Sequence, residues 1–161
     1  CIGQKILGIH HIGSTAVPGL AAKDVIDVQI TLADLSSDIA AELENAGFKL
    51  ISQRVDHCPP GKKLGAEQLE KRFYKSLKRP ANIHVRQIGR FNQRYPLLCR
   101  DYLRAHKNAA DAYAQIKREL AARFPNDTTS YYAIKDPTFD LIMAAAEDWA
   151  STIYWMPPPS D

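Results

Sequence analysis

A run of small residues and one acidic side chain form the first candidate for chemistry in this 161-residue sequence. Gly13, Ser14 and Thr15 follow an apolar run, where a glycine lets backbone approach a ligand and a serine hydroxyl with backbone N–H groups holds phosphate oxygens. Asp27 lies on the next apolar run, and a carboxylate fixed beside a phosphate suits Mg²⁺-dependent nucleotidyl transfer. The spacing predicts a phosphate cradle with an acidic neighbour.

Polar residues also alternate with apolar ones on a later run. His84 and Arg86 share one face of this run, and Asp27 and Gln29 share one face of the earlier run. We expect both faces to point away from the core, with the four side chains on one floor and Lys23 nearby.

Several basic residues of the second half are further candidates for binding phosphate. Arg100 and Arg104 are one helical turn apart, so their guanidinium groups share a helix face that suits a phosphate. Lys117 and Lys135 extend the set. The alternative is that these groups form salt bridges with neighbouring acids, among them Asp101, Asp111 and Glu119, or only solvate the helices.

Structural interpretations of the first candidates also stay open. Ser14 or Thr15 is typical of the cap of a turn that follows a strand, without any ligand. Asp27 taken alone is also compatible with an exposed carboxylate at the edge of a sheet. What favours a phosphate-binding site is that Asp27 follows the glycine-serine turn on the next strand.

Hydrophobic periodicity predicts strands first and helices afterwards. Strands are predicted at residues 6–12, 25–30, from 48 and at 72–77 and 82–88, the last two forming a hairpin within a mixed sheet. Helices are predicted at residues 38–46, from Tyr95, from Asn108 to Phe124 and from Asp136, and residues 54–66 are predicted to form a loop. A serine at 36 or 37 is the predicted cap of the first helix, and Pro157–Asp161 is expected to fray.

This order indicates an α/β (α+β) fold, with a mixed sheet followed by a helical C-terminal part. We expect one domain over residues 1–161, with the sheet in 1–90 and the helical part in 91–156. The abrupt apolar start is typical of a piece of a longer chain.

Composition limits the classes of partner. The net charge of +3 favours small anions, whereas scattered basic residues without an aromatic platform argue against nucleic acid. Cys1, Cys58 and Cys99 are widely spaced, as expected of reduced thiols in a cytoplasmic protein. No apolar run reaches the roughly 18 residues of a membrane span.

One segment carries a family resemblance. The sequence HIGSTAVPGLAAK at residues 11–23, followed by Ile26, Asp27 and Val28, closely resembles the signature of GrpB-like proteins, which belong to the nucleotidyltransferase superfamily. The resemblance continues over nearly the whole chain, at residues 84–86 and 99–104 and at Tyr113, Lys117, Tyr132, Lys135 and Trp149.

The resemblance implies a nucleotidyltransferase-like sheet with Gly13-Ser14 as the glycine-serine motif and Asp27 as the first catalytic acid. We expect His84, on the neighbouring strand, to be the second catalytic residue. Related domains also occur fused behind dephospho-CoA kinase, so a fused kinase is an expected partner. Two functions stay open: a Mg²⁺-dependent nucleotidyltransferase, or a non-catalytic module that binds a nucleotide or other phosphorylated ligand and supports a fused kinase.

The sequence departs from the superfamily at three points. Two-metal transfer needs a second carboxylate two residues after Asp27, where this chain has Gln29, and a third acid on a neighbouring strand, which offers His84 and Arg86. Asp24 replaces a proline usual in GrpB-like sequences. We therefore expect at most one metal ion, held by Asp27 with His84 as a possible ligand, and a site better suited to an anion.

Overall fold

A five-stranded mixed sheet precedes three long helices, as the sequence predicts. The structure is a computed structural model that describes residues 5–161, with the backbone alone at Arg54. The strands are β1 (Ile6–Ile12), β2 (Ile26–Leu32), β3 (Phe48–Val55), β4 (Glu70–Ser76) and β5 (Ala81–Gln87). The helices are α1 (Ala40–Asn45), α2 (Phe91–Ala105), α3 (Lys107–Arg123) and α4 (Thr128–Ile153). Short 3-10 turns lie at Ser14–Ala16 and Ala66–Gln68.

The strand order β1-β2-β5-β4-β3 brings the two polar runs together at the centre of the sheet. β2 is parallel to β5, and all other neighbours are antiparallel. In this register Asp27 lies opposite Asn82, and Gln29 lies opposite His84. The predicted common floor therefore follows from the parallel pairing of strands that are far apart in sequence.

The opposite face of the sheet is apolar and packs against α1. Its core consists of side chains at most 6% exposed, namely Ile30, Leu32, Tyr74, Ile83 and Val85 of the strands with Ile39 and Leu43 of the helical segment. Burial of such aliphatic side chains contributes roughly 1.5–3 kcal/mol each. The alternation of β2 and β5 thus separates a packed face from a polar face.

The start of α1 differs from its prediction. The helix begins at Ala40, not at residue 38, and neither predicted serine caps it. Instead the Asp38 carboxylate accepts a hydrogen bond of 2.9 Å from the Ala40 amide, while Ser36 bonds to Asp34. The predicted end is confirmed, because Gly47 follows the helix with a φ of 87°.

The predicted starts of two helices are wrong. Starts at Tyr95 and Asp136 would place Pro96 and Pro137 in first turns. α2 begins at Phe91 and α4 at Thr128, so Pro96 and Pro137 both lie inside helices. Asp127 caps α4 by accepting a 2.9 Å bond from the Ser130 amide. Each internal proline removes one amide donor, and packing of α2 against α4 through Leu98, Cys99, Met143 and Ala146 offsets this cost.

The predicted fraying of the chain after α4 is also wrong. Residues 158–161 lie along β1, where the Ile9 amide donates to Ser160 Oγ at 2.9 Å. β3 extends to Val55, so the loop begins at Asp56. Within residues 5–161, no helix is both long enough and apolar enough to cross a membrane.

Candidate functional site

A cavity of about 810 Å³ lies between the polar face of the sheet and helices α2 to α4. Ten of the residues proposed from the sequence line it, namely Gly13, Ser14, Thr15, Lys23, Asp27, His84, Arg86, Arg100, Lys117 and Lys135, whereas Gln29 and Arg104, which were also proposed, are not part of its lining. The cradle and the acid therefore open into one space, although the chemical roles of these residues stay predictions.

Gly13 allows the turn at residues 13–15, called the cradle below, to contact Asp27. Its φ of 72° lies in the left-handed region, and a Cβ added here would lie 2.7 Å from Asp27 Oδ2. Any side chain at this position would be strained and would also displace the carboxylate. The glycine is required both by the turn and by the close approach of backbone to the acid.

Ser14 is held by a buried cation from α3. Lys117 Nζ donates to Ser14 Oγ and, at 2.5 Å, to the Ala21 carbonyl. Burial, followed by the charge of Lys135 and then of Lys23, lowers the pKa of Lys117 to about 8, against an opposing effect of Asp27. A pKa of about 8 leaves this ammonium mostly charged at neutral pH.

The other two lysines of this end rest on aromatic rings. Lys23 Nζ lies 5.4 Å from the centre of the Tyr131 ring. Lys135 Nζ lies 5.4 Å from the Tyr132 ring and 3.3 Å from a carboxylate oxygen of Asp136. Lys23, Lys117 and Lys135 are called the lysine wall below.

Asp27 is ionised on the floor of the cavity. Its Oδ1 accepts hydrogen bonds from Asn82 Nδ2 at 2.8 Å and His84 Nε2 at 3.3 Å. Burial acts to raise the pKa of Asp27, but the bonds from His84 and Asn82 and the charge of Arg86 together lower it. The carboxylate is therefore negatively charged at neutral pH.

His84 is a neutral imidazole with an assignable tautomer. Burial, with the charges of Arg86 and Lys71, lowers its pKa to about 4. Its Nδ1 lies 3.3 Å from Lys71 Nζ, and an ammonium only donates, so Nδ1 accepts and the proton lies on Nε2. The Nε2–H group then donates to Asp27.

Asp56 is a second floor carboxylate, and sequence reasoning missed it. It is the first residue after β3, forms an ion pair with Lys71, and accepts bonds from Arg86 Nε at 2.9 Å and Asn92 Nδ2 at 3.1 Å. Burial opposes ionisation, but Arg86 and Lys71 lower the pKa of Asp56 to about 2. The signal available in the sequence was an acid shortly after a predicted strand segment, whereas Asp27 lies near the start of β2.

Arg86 and Gln29 belong to the same buried network. Arg86 donates to Gln29 Oε1 at 2.8 Å, and Gln29 Nε2 donates to the Gln93 carbonyl at 2.9 Å. The Arg86 side chain is only 6% exposed. The described contacts of this guanidinium are therefore with Asp56 and Gln29, so it acts as a fixed cation of the floor.

Arg100, Arg104 and Thr15 form contacts within the protein. Arg100 pairs with Asp101 at 2.8 Å, which confirms the salt-bridge alternative for this residue, and also bonds the His11 carbonyl at 2.9 Å. Arg104 donates to the Ala16 carbonyl at 2.8 Å, and Thr15 Oγ1 lies 2.9 Å from His11 Nε2. The two arginines thus connect α2 to β1 and to the Ser14–Ala16 turn, while Thr15 connects that turn to β1.

The donor set does not suit a divalent metal. Mg²⁺ prefers several oxygen ligands, whereas Asp27 is the acid available here and Asp56 is already neutralised by Lys71 and Arg86. Among residues 5–161, no three His, Cys, Asp or Glu side chains are grouped so that they could hold a metal ion. A single ion at Asp27 stays a prediction.

Several known proteins are similar to this chain in sequence. The family model described as "GrpB protein" matches residues 2–145. A dephospho-CoA kinase of Mycolicibacterium paratuberculosis is 34% identical over 96% of this chain, and the UPF0157 protein YqkA of Bacillus subtilis is 32% identical over 91%. The match spans 42% of that kinase and 40% of YqkA, so this chain corresponds to less than half of each.

A solved structure agrees with the fold. The crystal structure of the conserved protein GrpB from Enterococcus faecalis superposes with a TM-score of 0.70 at 25% identity, covering 92% of this chain and 86% of that one. The five-stranded mixed sheet with its helices is consistent with a nucleotidyltransferase-like fold. With the family model matching most of its length, the chain belongs to the GrpB family.

Proposed function

We propose that the cavity binds a nucleotide or another phosphorylated small molecule, with its phosphoryl group at Ser14 and the lysine wall. The observation that carries this proposal is the convergence of Ser14 with three lysines at one end of a single cavity. The backbone N–H groups of Ser14 and Thr15 and the lysine ammonium groups are both donors to phosphate oxygens, whereas the Ala16 N–H already donates to the Gly13 carbonyl.

The charge of the cavity supports an anionic ligand. Seven basic side chains and three acidic ones line it among the described residues, so the balance is positive. Two of the acids, Asp27 and Asp56, lie on the floor within the hydrogen-bonded network, whereas the lysine wall faces Asp136. A phosphate placed at the wall would offset charge that the protein itself leaves unbalanced.

A second candidate, nucleotidyl transfer, is favoured by one observation, the ionised Asp27 beside the cradle. In this candidate Asp27 would be the first catalytic acid, with His84 beside it. The binding proposal needs no metal ion. The relatives named dephospho-CoA kinase suggest a third role for the same cavity, in which this domain binds a ligand in support of a fused kinase.

Thermal unfolding with added ligand tests the binding proposal. The test compares inorganic phosphate and the four nucleoside triphosphates, each with and without Mg²⁺. We expect at least one of them to stabilise the folded wild type by about 2.7 kcal/mol at a hundredfold excess over its Kd. Ser14→Ala should reduce this gain, while Lys107→Ala, at an exposed position on α3, should not. Stabilisation by none of these ligands would refute the proposal.

Pyrophosphate release separates the enzyme from the module. With Mg²⁺ and a nucleoside triphosphate, an enzyme should release pyrophosphate, and Asp27→Asn should abolish the release while leaving most of the binding. Binding without turnover for all four nucleotides would favour the module.

A further inference from the structure

The chain reverses after α4 and returns to the sheet. Tyr154 adopts a left-handed conformation with a φ of 53°, and the Trp155 indole N–H donates to Asp101 Oδ2 at 3.0 Å. Arg94 lies over the Trp155 ring at 5.3 Å. These contacts direct the following residues along the outer edge of β1.

Residues 158–161 pair with this edge almost as an additional strand would. The Asp161 amide donates to the Ile9 carbonyl at 3.1 Å, and the Ile9 amide donates to Ser160 Oγ at 2.9 Å. The His11 amide donates to Asp161 Oδ2 at 2.8 Å, and His10 Nε2 lies 3.0 Å from the Pro158 carbonyl. β1 is the first strand of the sheet, so its outer edge otherwise presents open backbone groups.

A buried guanidinium selects the acidic side chain of this segment. Arg100 is 1% exposed at its side chain and donates to Asp161 Oδ2 at 2.8 Å while also bonding the His11 carbonyl. The same carboxylate oxygen therefore meets one edge amide and one buried cation. An amide side chain in its place would leave part of the Arg100 charge unbalanced.

The segment is held by few contacts. Pro157, Pro159, Ser160 and Asp161 are exposed, so little apolar surface is buried beneath them. Leu7 and Ile9 remain 52% and 43% exposed on the edge strand. Binding of this kind, through backbone hydrogen bonds and one anchoring side chain, is the mode by which sheet edges take up extended peptides.

We propose that the outer edge of β1 and Arg100 form a docking site for an extended segment carrying an acidic side chain, and that residues 158–161 of the same chain occupy it. This use of Arg100 is independent of the phosphate proposal. It assigns the guanidinium to a carboxylate at the sheet edge.

Hydrogen exchange in the full chain tests this proposal. In Asp161→Asn the His11 amide should exchange at least tenfold faster than in the wild type, while the amide of Val85 in the buried strand β5 stays unchanged. Asp148→Asn, which alters an exposed acid on α4, is the matched control and should leave His11 unaffected. Unaltered exchange at His11 in Asp161→Asn would overturn the proposal.

A peptide added in trans tests the chemistry of the occupant. A chain shortened after Met156 should regain protection at His11 with millimolar amidated Pro-Pro-Pro-Ser-Asp, and not with the corresponding Asn peptide. Equal protection by both peptides would overturn the acidic requirement. If the shortened chain does not fold, as judged by circular dichroism, the Asp161→Asn comparison decides alone. Protection that rises with protein concentration together with a dimer would assign the site to a second copy and overturn the occupant proposed.

Discussion

The floor and the lysine wall of the cavity differ in how far their charged side chains are paired with opposite charges. On the floor, Asp56 is matched by Lys71 and Arg86, and each partner is largely buried. At the wall, three lysines lie around Ser14, with Asp136 paired to Lys135 and Asp27 acting on the charge of Lys117. The difference indicates that the floor is a structural support, whereas in our proposal the surplus positive charge of the wall binds a ligand.

Removing the central acid of the floor should have the largest effect on stability. Asp56→Asn removes the carboxylate that pairs with the largely buried cations Lys71 and Arg86, so we expect a loss of about 3 kcal/mol in the free energy of unfolding, measured in urea. Glu70→Gln, in an exposed pair with Arg90, is the control and should cost less than about 1 kcal/mol. Equal costs would contradict a structural floor.

Alanine substitutions at two glycines of positive φ distinguish the cost of backbone strain from the cost of a clash with Asp27. Gly13→Ala should destabilise by about 2 kcal/mol or more, because its Cβ meets Asp27, whereas Gly19→Ala has no neighbour within 4 Å and should cost only about 1 kcal/mol of strain. Thermal melts of both variants measure the difference. A cost for Gly13→Ala no greater than for Gly19→Ala would show that the cradle and the acid do not touch.

The floor should also give the protein a pH-dependent stability through His84. Its folded pKa of about 4 lies below its ordinary value of 6.5, so the unfolded chain binds more protons between these values and stability falls as the pH drops through this window. We expect a loss of roughly 1 to 2 kcal/mol from pH 6.5 to 5 in urea titrations. His84→Asn should flatten this dependence, and an unchanged slope would contradict a neutral His84.

The wall should respond in affinity more than in stability. Lys117→Met removes a cation from a site that holds surplus positive charge, so the free energy of unfolding should change by about 1 kcal/mol or less. Affinity for a bound nucleotide should fall about tenfold, equivalent to ~1.4 kcal/mol, in a calorimetric titration. A variant that is much less stable than the wild type but keeps its affinity would assign Lys117 to the structural support instead.

Local sequence patterns predicted that the turn at Gly13 and Ser14 lies beside Asp27, and they failed at contacts set by topology. The turn and the acid were identifiable because a turn and an adjoining strand are each recognisable over a few residues. Asp56, Lys71 and Asn92 were missed because they meet Arg86 and His84 only through the order β5-β4-β3 and the start of α2. The hydrophobic periodicity of one segment does not predict contacts between side chains of different strands.

The helix starts failed for a different reason. Prolines favour first turns on average, but Pro96 and Pro137 are tolerated inside α2 and α4, where packing between the helices outweighs one lost hydrogen bond each. The tail was expected to fray because its composition is polar and proline-rich. Its order comes instead from Arg100 and the β1 edge, which lie far away in sequence.

Mapping a ligand by NMR tests the central claim most directly. Titration of the best-stabilising nucleotide, or of inorganic phosphate, into labelled wild type in the presence of EDTA should shift the amides of Gly13, Ser14, Thr15 and Ala21 most strongly. The same titration into Lys117→Met should need about tenfold more ligand. Shifts confined to the α1 face of the sheet, or none at saturating ligand, would contradict a phosphate site at Ser14.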